Sequence, residues 1–220
     1  GNFEGVVVLF RRLNALCADG TEVYAGAGVT GGELFKFACR SSIGGFSPLS
    51  GIPMTVGGGV TMNAGVKDLY FSDLVRRVVC VEAGKLRTLE QNECAFGKKE
   101  SIFQQGIAVL GVCLQGRYAR PADIARESCY YRSKRMHLPK GRSMGCTFVN
   151  PDGTTAGALI EACGLKGMRI GGAFVSEKHA NFICNEGQRA RDVAALIEYI
   201  KKTVEERTGI VLREEIRRLP

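Results

Sequence analysis

The sequence predicts an α+β fold with two domains, on the basis of chain length and two hydrophobic patterns. A chain of 220 residues, 45% hydrophobic and 24% charged, is long enough for one large or two small domains with apolar cores. Short apolar runs between glycine-dense turns predict strands in the first half. Near the end, apolar residues three and four positions apart predict a long amphipathic helix.

The first half of the chain alternates predicted strands with turns. The predicted elements are strands at residues 6–10, 22–25, 75–81, 85–89 and 107–114 and a helix at residues 33–40. Residues 82–84 (EAG) separate the third and fourth strands, which are therefore predicted to form a β-hairpin. Residues 51–59 (GIPMTVGGG) form a glycine-dense segment, predicted as turns, in which glycine permits positive φ angles and the close approach of a ligand.

A proline marks the predicted domain boundary. Pro121, followed by ADIAR, is typical of a helix start, because the first helical turn tolerates proline. The predicted domains are therefore residues 1–118 and 119–220. The clearest helix of the second domain is predicted at residues 189–206. Its apolar stripe consists of Val193, Leu196, Ile197, Ile200 and Val204.

Composition and charge disfavour several classes of function. No apolar run approaches the roughly 20 residues that cross a bilayer, so we expect no membrane partner. The net charge of +8 permits nucleic-acid binding, but the basic residues are spread among acidic ones, and a basic excess suits an anionic small substrate equally well. The nine cysteines contain no C-x-x-C pair and there are only two histidines, so we expect a reducing cytoplasm and no metal centre.

Three segments of the second half carry a specific ordered pattern. They are residues 145–151 (GCTFVNP), 156–167 (AGALIEACGLKG) and 172–182 (GAFVSEKHANF). In this order and spacing they resemble the UDP-N-acetylenolpyruvoylglucosamine reductase (MurB) family. Residues 51–58, followed by residues 62–65 (MNAG), are similar to the flavin-facing loop of that family. A glycine-rich loop alone is more often a tight turn, so the specificity lies in the ordered set.

The resemblance implies a fold and an activity. The implied fold is the remainder of a vanillyl-alcohol-oxidase-type FAD-binding domain, followed by a smaller α+β substrate-binding domain. The implied activity is that of UDP-N-acetylmuramate dehydrogenase, which uses NADPH and FAD to reduce UDP-N-acetylglucosamine enolpyruvate during peptidoglycan synthesis. The resemblance also aligns the first residues just after the family's phosphate-binding loop. We therefore expect these 220 residues alone to bind FAD weakly, because the pyrophosphate would lose backbone N–H donors.

The resemblance also implies which residues contact the cofactor and the substrate. The implied flavin-binding residues are Gly51, Ile52, Pro53, Thr55, Gly57, Gly58 and Asn63. The implied substrate-binding residues are Asn150, Lys166 and Glu177, with His179 and Asn181 as further candidates. For Asn150 an alternative is open, because asparagine caps a turn at least as often as it binds a ligand.

Three catalytic residues follow from the same resemblance. Cys146 stands where the family has its proton-donating serine, and a thiol, with an ordinary pKa of about 8.5, is a stronger acid that is still protonated at neutral pH. A buried structural cysteine is the alternative. The pattern L-x-x-E-hydrophobic-R selects Glu215, and Glu214 is expected to be its solvated neighbour.

The third catalytic position departs from the family pattern. Residues 96–103 (FGKKESIF) correspond to the family segment F-x-Y-R-x-S-x-F, so Lys98 replaces tyrosine and Lys99 replaces the catalytic arginine. Lysine supplies one flexible point charge where arginine supplies a planar fork. Two functions therefore stay open, a working reductase and a catalytically impaired relative or fragment that acts as a UDP-sugar-binding or scaffold module.

Overall fold

The computed structural model describes residues 5–66, 69–139 and 141–218, which divide into two compact units. The N-terminal unit is Val7–Met136, and the C-terminal unit comprises the chain from His137 onward, with which residues 5 and 6 are grouped. Each unit has its own buried apolar cluster. Among the described residues, no helix combines the length and the apolar character that crossing a membrane requires.

The N-terminal unit is built on a five-stranded antiparallel sheet. In chain order its elements are β1 (Leu16–Asp19), β2 (Glu22–Gly26), α1 (Gly31–Arg40), β3 (Ile43–Gly44), α2 (Val56–Thr61), β4 (Gly65–Val66), β5 (Leu69–Tyr70), β6 (Val75–Glu82), β7 (Lys85–Glu90), β8 (Ala108–Gln115), β9 (Arg117–Tyr118) and α3 (Pro121–Ser133). The sheet order is β1-β2-β8-β6-β7, and β3 pairs with β9 and β4 with β5 in two short ribbons. Helix α2 packs on β2 and β8, so the glycine-rich segment lies directly on the sheet.

Most of the predicted elements of this unit are confirmed. The helix α1 and the strands β2, β6, β7 and β8 match the predicted ranges to within two residues. The predicted hairpin forms, with Glu82 paired to Lys85 across the two-residue turn.

Two predictions for this unit are wrong. Residues 6–9 pair with no strand among the described residues, and the side chains of Val6 to Leu9 are 65–88% exposed. An apolar run becomes a strand only where a neighbouring strand satisfies its backbone groups. Residues 56–59, predicted as part of a turn, begin helix α2 instead, because Thr55 caps the helix and one helix face is buried.

Helix α3 belongs to the N-terminal unit, whereas the sequence pattern predicts it in the second domain. It packs against α1 and against the 3₁₀ helix Ser47–Leu49, with Ile124 and Ser128 buried. The hydroxyls of Ser50 and Ser128 form a buried hydrogen bond of 2.6 Å. The boundary between the units therefore follows α3, at residues 136 and 137, rather than residues 118 and 119.

The C-terminal unit consists of a four-stranded antiparallel sheet with two helices. In chain order its elements are β10 (Ser143–Cys146), α4 (Ala156–Ala162), β11 (Arg169–Ile170), β12 (Ala173–Val175), β13 (Phe182–Asn185) and α5 (Ala190–Thr208). The sheet order is β10-β13-β12-β11, and α5 packs on β11, β12 and α4. The predicted apolar stripe of α5 is confirmed, because all five of its side chains are buried.

Beyond α5 the chain returns to the sheet. Gly209 ends the helix with a φ of +72°, and the buried side chain of Leu212 anchors the following residues in the core. Residues 213–215 then run antiparallel to residues 147–149. Val149 N–H donates to the carbonyl of Arg213 (2.9 Å), and Glu215 N–H donates to the carbonyl of Thr147 (2.8 Å).

Candidate active site

In the N-terminal unit, the predicted flavin-facing segment begins at a left-handed glycine. Gly51 has a φ of +82°, and a Cβ at this position would lie 3.3 Å from Cγ of Arg132. The guanidinium of Arg135 donates to the carbonyls of Ser50 (2.6 Å) and Pro48 (3.0 Å), and burial lowers the pKa of Arg135. The residues at the end of α3 therefore fix the start of this segment. The next two residues predicted to bind the flavin have different surroundings. Ile52 packs against the core, and Pro53 is exposed.

Three consecutive glycines in α2 have different surroundings. A Cβ at Gly57 would lie 2.8 Å from Cβ of Ala27, and a Cβ at Gly59 would lie 2.4 Å from the ring of Phe71. At Gly58, which is exposed, the nearest atom would be Oγ1 of Thr55 at 3.3 Å. Packing therefore requires glycine at positions 57 and 59 but not at 58. Because glycine weakens a helix by about 1 kcal/mol relative to alanine, an unneeded glycine on an open face suits the close approach of a ligand.

A cavity of about 380 Å³ opens beside α2. Its lining includes Gly28, Thr55, Gly57, Gly58, Phe103 and Val109. Exposed backbone next to apolar side chains suits a flat aromatic cofactor with a phosphate tail, and the volume falls within the range of about 300–1,000 Å³ for ligand pockets. Three of the predicted cofactor residues line this cavity, whereas Gly51, Ile52, Pro53 and Asn63 are not among its described lining residues.

Asn63 holds the backbone of its own unit. Its side chain is 4% exposed; Nδ2 donates to the carbonyl of Gly97 (2.9 Å), and Oδ1 accepts from the N–H of Ser72 (2.9 Å). Both ends of the amide are therefore engaged by the protein. The motif pattern indicates the residue but not this role, because its partners lie 9 and 34 positions away.

The turn that carries Lys98 and Lys99 is fixed against the end of α2. Gly97 and Glu100 exchange two backbone hydrogen bonds, and Lys99 has a φ of +61°, which is strained for a residue with a Cβ. Nε2 of Gln104 donates to the carbonyls of Lys99 (2.9 Å) and Thr61 (3.1 Å). Strained backbone of this kind persists where the surroundings hold it, and it clusters at functional sites. Lys99 thus shares one hydrogen-bond network with the helix that lines the cavity.

In the C-terminal unit, Cys146 ends strand β10 and is half-buried. It pairs with Phe182 of β13, and the register shifts between Ser143 and Cys146. The next two residues are locked by Asn181, whose carbonyl accepts from the N–H of Thr147 (2.8 Å) and whose side chain makes two hydrogen bonds with the backbone of Phe148 (2.8 and 2.9 Å). Asn181 is 2% exposed, so this candidate substrate contact holds the backbone after Cys146 instead.

Glu215 lies across from the residue that follows Cys146. Its N–H donates to the carbonyl of Thr147 (2.8 Å), so two predicted catalytic residues are brought together at the level of the backbone. The expectation for Glu214 is wrong. Its side chain is only 20% exposed and forms ion pairs with Lys201 (3.2 Å) and Arg218 (2.9 Å). Sequence spacing could not reveal these partners, which lie on α5 and beyond the strand-like segment.

Of the predicted substrate residues, Asn150 makes a hydrogen bond within the fold, although at the start of α4 rather than in the turn before Pro151. Its Oδ1 accepts from the N–H of Ala156 (3.0 Å) at the first residue of α4. Lys166 pairs with Glu161 (2.6 Å), and its side chain is 29% exposed. Glu177 is exposed, with its carboxylate so close to Gly167 that a Cβ there would clash with it. The loops that carry Lys166 and Glu177 are therefore neighbours.

His179 lies beside the same helix. A Cβ at Gly157 of α4 would be 3.5 Å from Cε1 of His179, and Nδ1 of the ring accepts from the N–H of Asn181 (3.3 Å). Burial, followed by the nearby His137, lowers the pKa of His179. A neutral imidazole that accepts at Nδ1 carries its proton on Nε2, so this ring can donate one hydrogen bond there.

Comparison with known proteins covers both units. The family model for the UDP-N-acetylenolpyruvoylglucosamine reductase C-terminal domain matches residues 137–219, and a model for an FAD binding domain matches residues 1–89. The chain is 38% identical to the UDP-N-acetylenolpyruvoylglucosamine reductase of Desulforamulus reducens, over 99% of this chain and 74% of that relative. It is 34% identical to that of Clostridium perfringens strain SM101, over 99% of this chain and 73% of the relative.

A solved structure is similar as well. The crystal structure of UDP-N-acetylenolpyruvylglucosamine reductase from Thermus caldophilus matches with a TM-score of 0.82 and 36% sequence identity, over 90% of this chain and 72% of that chain. The match to the C-terminal family model begins at residue 137, where the C-terminal unit begins.

Proposed function

The chain belongs to the UDP-N-acetylenolpyruvoylglucosamine reductase family of FAD-dependent oxidoreductases, and on this premise we propose that it reduces UDP-N-acetylglucosamine enolpyruvate to UDP-N-acetylmuramate with NADPH. One observation carries the proposal, namely that the similarity runs through both units at 38% identity rather than through the FAD-binding part alone. The proposed setting is peptidoglycan synthesis in the cytoplasm, in support of cell division.

The N-terminal unit has features that suit FAD. When bound, FAD supplies a hydride acceptor for NADPH and a hydride donor for the enolpyruvyl double bond. In the proposal, Thr55, Gly57 and Gly58 bind it at the cavity beside α2, where Gly58 offers backbone without a side chain. The segment Gly51-Ile52-Pro53 leads the chain to this helix, and Asn63 keeps the Gly97 turn against it.

Cys146 is the proposed proton donor. Hydride addition to the enolpyruvyl group leaves negative charge beside the substrate carboxylate, and one carbon must then take up a proton. A thiol with an ordinary pKa of about 8.5 holds that proton at neutral pH and gives it up more readily than a hydroxyl. Asn181 forms hydrogen bonds with Thr147 and Phe148, the two residues after Cys146, and these bonds support a fixed position for the Cys146 backbone.

The remaining site residues have electrostatic roles in the proposal. Lys99 supplies a cation that stabilises the developing charge, Glu215 is the second acidic group, and Lys166 and Glu177 contact the UDP-sugar. Asn150 binds the substrate through its amide Nδ2, because its Oδ1 already accepts a hydrogen bond from the N–H of Ala156.

An absorption experiment tests the proposal. The purified chain is mixed with excess FAD, and the visible spectrum is followed as NADPH and then UDP-N-acetylglucosamine enolpyruvate are added anaerobically. We expect bound flavin that NADPH bleaches and that the enolpyruvate substrate reoxidises, with UDP-N-acetylmuramate as the product. Bleaching without reoxidation by the substrate contradicts the proposed reaction.

The second candidate function is a UDP-sugar-binding module. It is favoured by Lys98 and Lys99, which replace the family's tyrosine and arginine. A chain that binds the substrate in calorimetry but leaves the absorption spectrum of added FAD unchanged supports this alternative over the reductase.

A further inference from the structure

The segment that carries Glu215 follows α5 and returns to the chain after Cys146. Between Gly209 and Arg218 no helix or extended strand forms. Leu212 is buried in the core, and two backbone hydrogen bonds join residues 213 and 215 to the chain after Cys146. Because this backbone pairing is short, side-chain contacts contribute much of what holds the segment against local opening.

An ion-pair network connects this segment to α5 on both sides of Glu215. Glu214 accepts from Lys201 (3.2 Å) and from Arg218 (2.9 Å), whose Nε also reaches it (3.1 Å). Arg218 donates in addition to Glu198 (2.7 Å), and Lys201 lies 3.7 Å from the same carboxylate. Each cation is thus shared by a carboxylate on α5 and a carboxylate on the segment. The Arg218 hydrogen bond lowers the pKa of Glu198.

The orientation of the backbone links this network to Glu215. Glu214 forms an isolated antiparallel bridge with Phe148, so the chain is extended at this point. In an extended segment successive side chains point to opposite faces. Because the network draws Glu214 toward α5, it directs the side chain of Glu215 to the face away from α5.

A single exposed ion pair contributes little to stability, with measured values of about 0–1 kcal/mol. We therefore expect this network to affect the position of the segment more than the free energy of unfolding. A bidentate arginine adds directional specificity, and Glu214 is the least exposed member at 20%. Residue 215 needs only a small displacement to lose alignment with a reacting group.

We propose that the network of Glu198, Lys201, Glu214 and Arg218 is a positioning device that holds Glu215 in its working orientation beside the strand of Cys146. This inference rests on the proposed function for the role of Glu215, but not for the anchoring itself. Lys201 and Glu214 act through Glu215 and are positioning residues.

Helix α5 offers a matched control. Lys202 forms an ion pair with Glu206 (3.8 Å) along the same helix, and both side chains are exposed, at 76% and 62%. Lys202→Met therefore removes the same charge from the same helix as Lys201→Met, without touching the segment. Glu214→Gln is a second test variant, since it keeps the side-chain shape and removes the charge.

The first readout is amide hydrogen exchange of the full chain without ligands. Lys201→Met and Glu214→Gln are expected to raise the exchange rates of the Glu215 and Val149 amides by about fivefold or more, whereas Lys202→Met leaves them unchanged. Melting curves of all three variants monitor the fold. Equal exchange in the Lys201 and Lys202 variants overturns the anchoring, whatever the protein catalyses.

The second readout is turnover with saturating FAD and NADPH. Lys201→Met is expected to lower kcat about tenfold while KM for the enolpyruvate substrate stays within about twofold, and Lys201→Arg is expected to restore most of kcat. A rise in KM with kcat unchanged would contradict a role of this network in positioning Glu215 for the chemical step. Faster amide exchange with unchanged kcat would overturn the catalytic role of Glu215 and leave the anchoring intact, so the two failures are distinguishable.

Discussion

The two units use their motif residues in different ways. In the N-terminal unit, residues predicted to bind the cofactor are largely part of the packing, since Gly57 lies against Ala27 and both ends of the Asn63 amide are engaged by backbone. In the C-terminal unit, Cys146 ends a four-residue strand, and Glu215 lies on a segment whose backbone is hydrogen-bonded to residues 147 and 149.

This difference predicts different consequences of substitution. Changes in and around α2 of the N-terminal unit should act on folding and cofactor affinity, because there the site is a surface formed by packed backbone. A change at Lys99, the proposed catalytic side chain of this unit, should act on the chemical step instead. Changes in the C-terminal unit should act on the chemical step, because there the site is formed by individual side chains. The Cys146 variants separate the two half-reactions, and the α2 glycine variants separate chain stability from FAD affinity.

The largest effect is expected at Cys146. Cys146→Ala removes the proposed proton donor, so product formation should fall about a thousandfold, as is typical for loss of a general acid. Reduction of bound flavin by NADPH should be unchanged, and stopped-flow absorbance at the flavin band measures it separately. Cys146→Ser, which keeps a proton at this position, is the control and should retain much of the activity. An equal loss of both half-reactions would contradict the division between the units.

The second effect concerns adjacent glycines of α2. Gly59→Ala forces a methyl group into the ring of Phe71 and should destabilise the chain by about 1–3 kcal/mol, measured by urea unfolding without FAD. Gly58→Ala should leave that stability unchanged or raise it by up to about 1 kcal/mol, yet weaken FAD binding about tenfold in a fluorescence titration. If Gly58→Ala binds FAD as tightly as the parent chain, the flavin does not approach this face of the helix.

A smaller effect is expected at Lys99. Lys99→Arg restores the planar fork that grips a carboxylate with two hydrogen bonds, and it should raise kcat about three- to tenfold. Lys98→Arg, on the exposed neighbour, is the matched control and should change kcat little. Steady-state rates with saturating FAD measure both. An unchanged rate for Lys99→Arg would remove this side chain from the catalytic assignment.

The sequence predicted the ranges of helices and strands better than it predicted which of them pack together. Strands β6 and β7 and the stripe on α5 follow from local periodicity, so their ranges could be found within a window of residues. Helix α2 could not, because three glycines give it low helix propensity and its stability comes from packing on β2 and β8. The helix α3 was assigned to the wrong side of the boundary for a similar reason, since only its packing against α1 assigns it to the N-terminal unit.

Motif matching identified the candidate site positions but not what each side chain contacts. Asn63 and Asn181 were selected as ligand contacts, yet each holds backbone that is 9 to 34 positions away. Glu214 was expected in solvent, whereas its partners lie on α5 and at Arg218. A spacing pattern indicates which positions match a motif. Only the folded chain shows whether the polar atoms at those positions contact a ligand or the protein itself.

The smallest effect concerns the pH dependence of stability at His179. Burial lowers its pKa in the folded chain, where Lys166, Glu161 and His137 are the charged or titratable groups that act on it. The unfolded chain, with a histidine pKa of about 6.5, therefore takes up a proton before the folded chain does. The free energy of unfolding should thus fall as the pH drops through about 6.5 toward the folded pKa, and should be independent of this group above that range. His179→Gln should make this slope shallower in urea unfolding series at about pH 7.5, 6.5 and 5.5. Identical slopes would mean that His179 titrates alike in both states and that its burial is lost in solution.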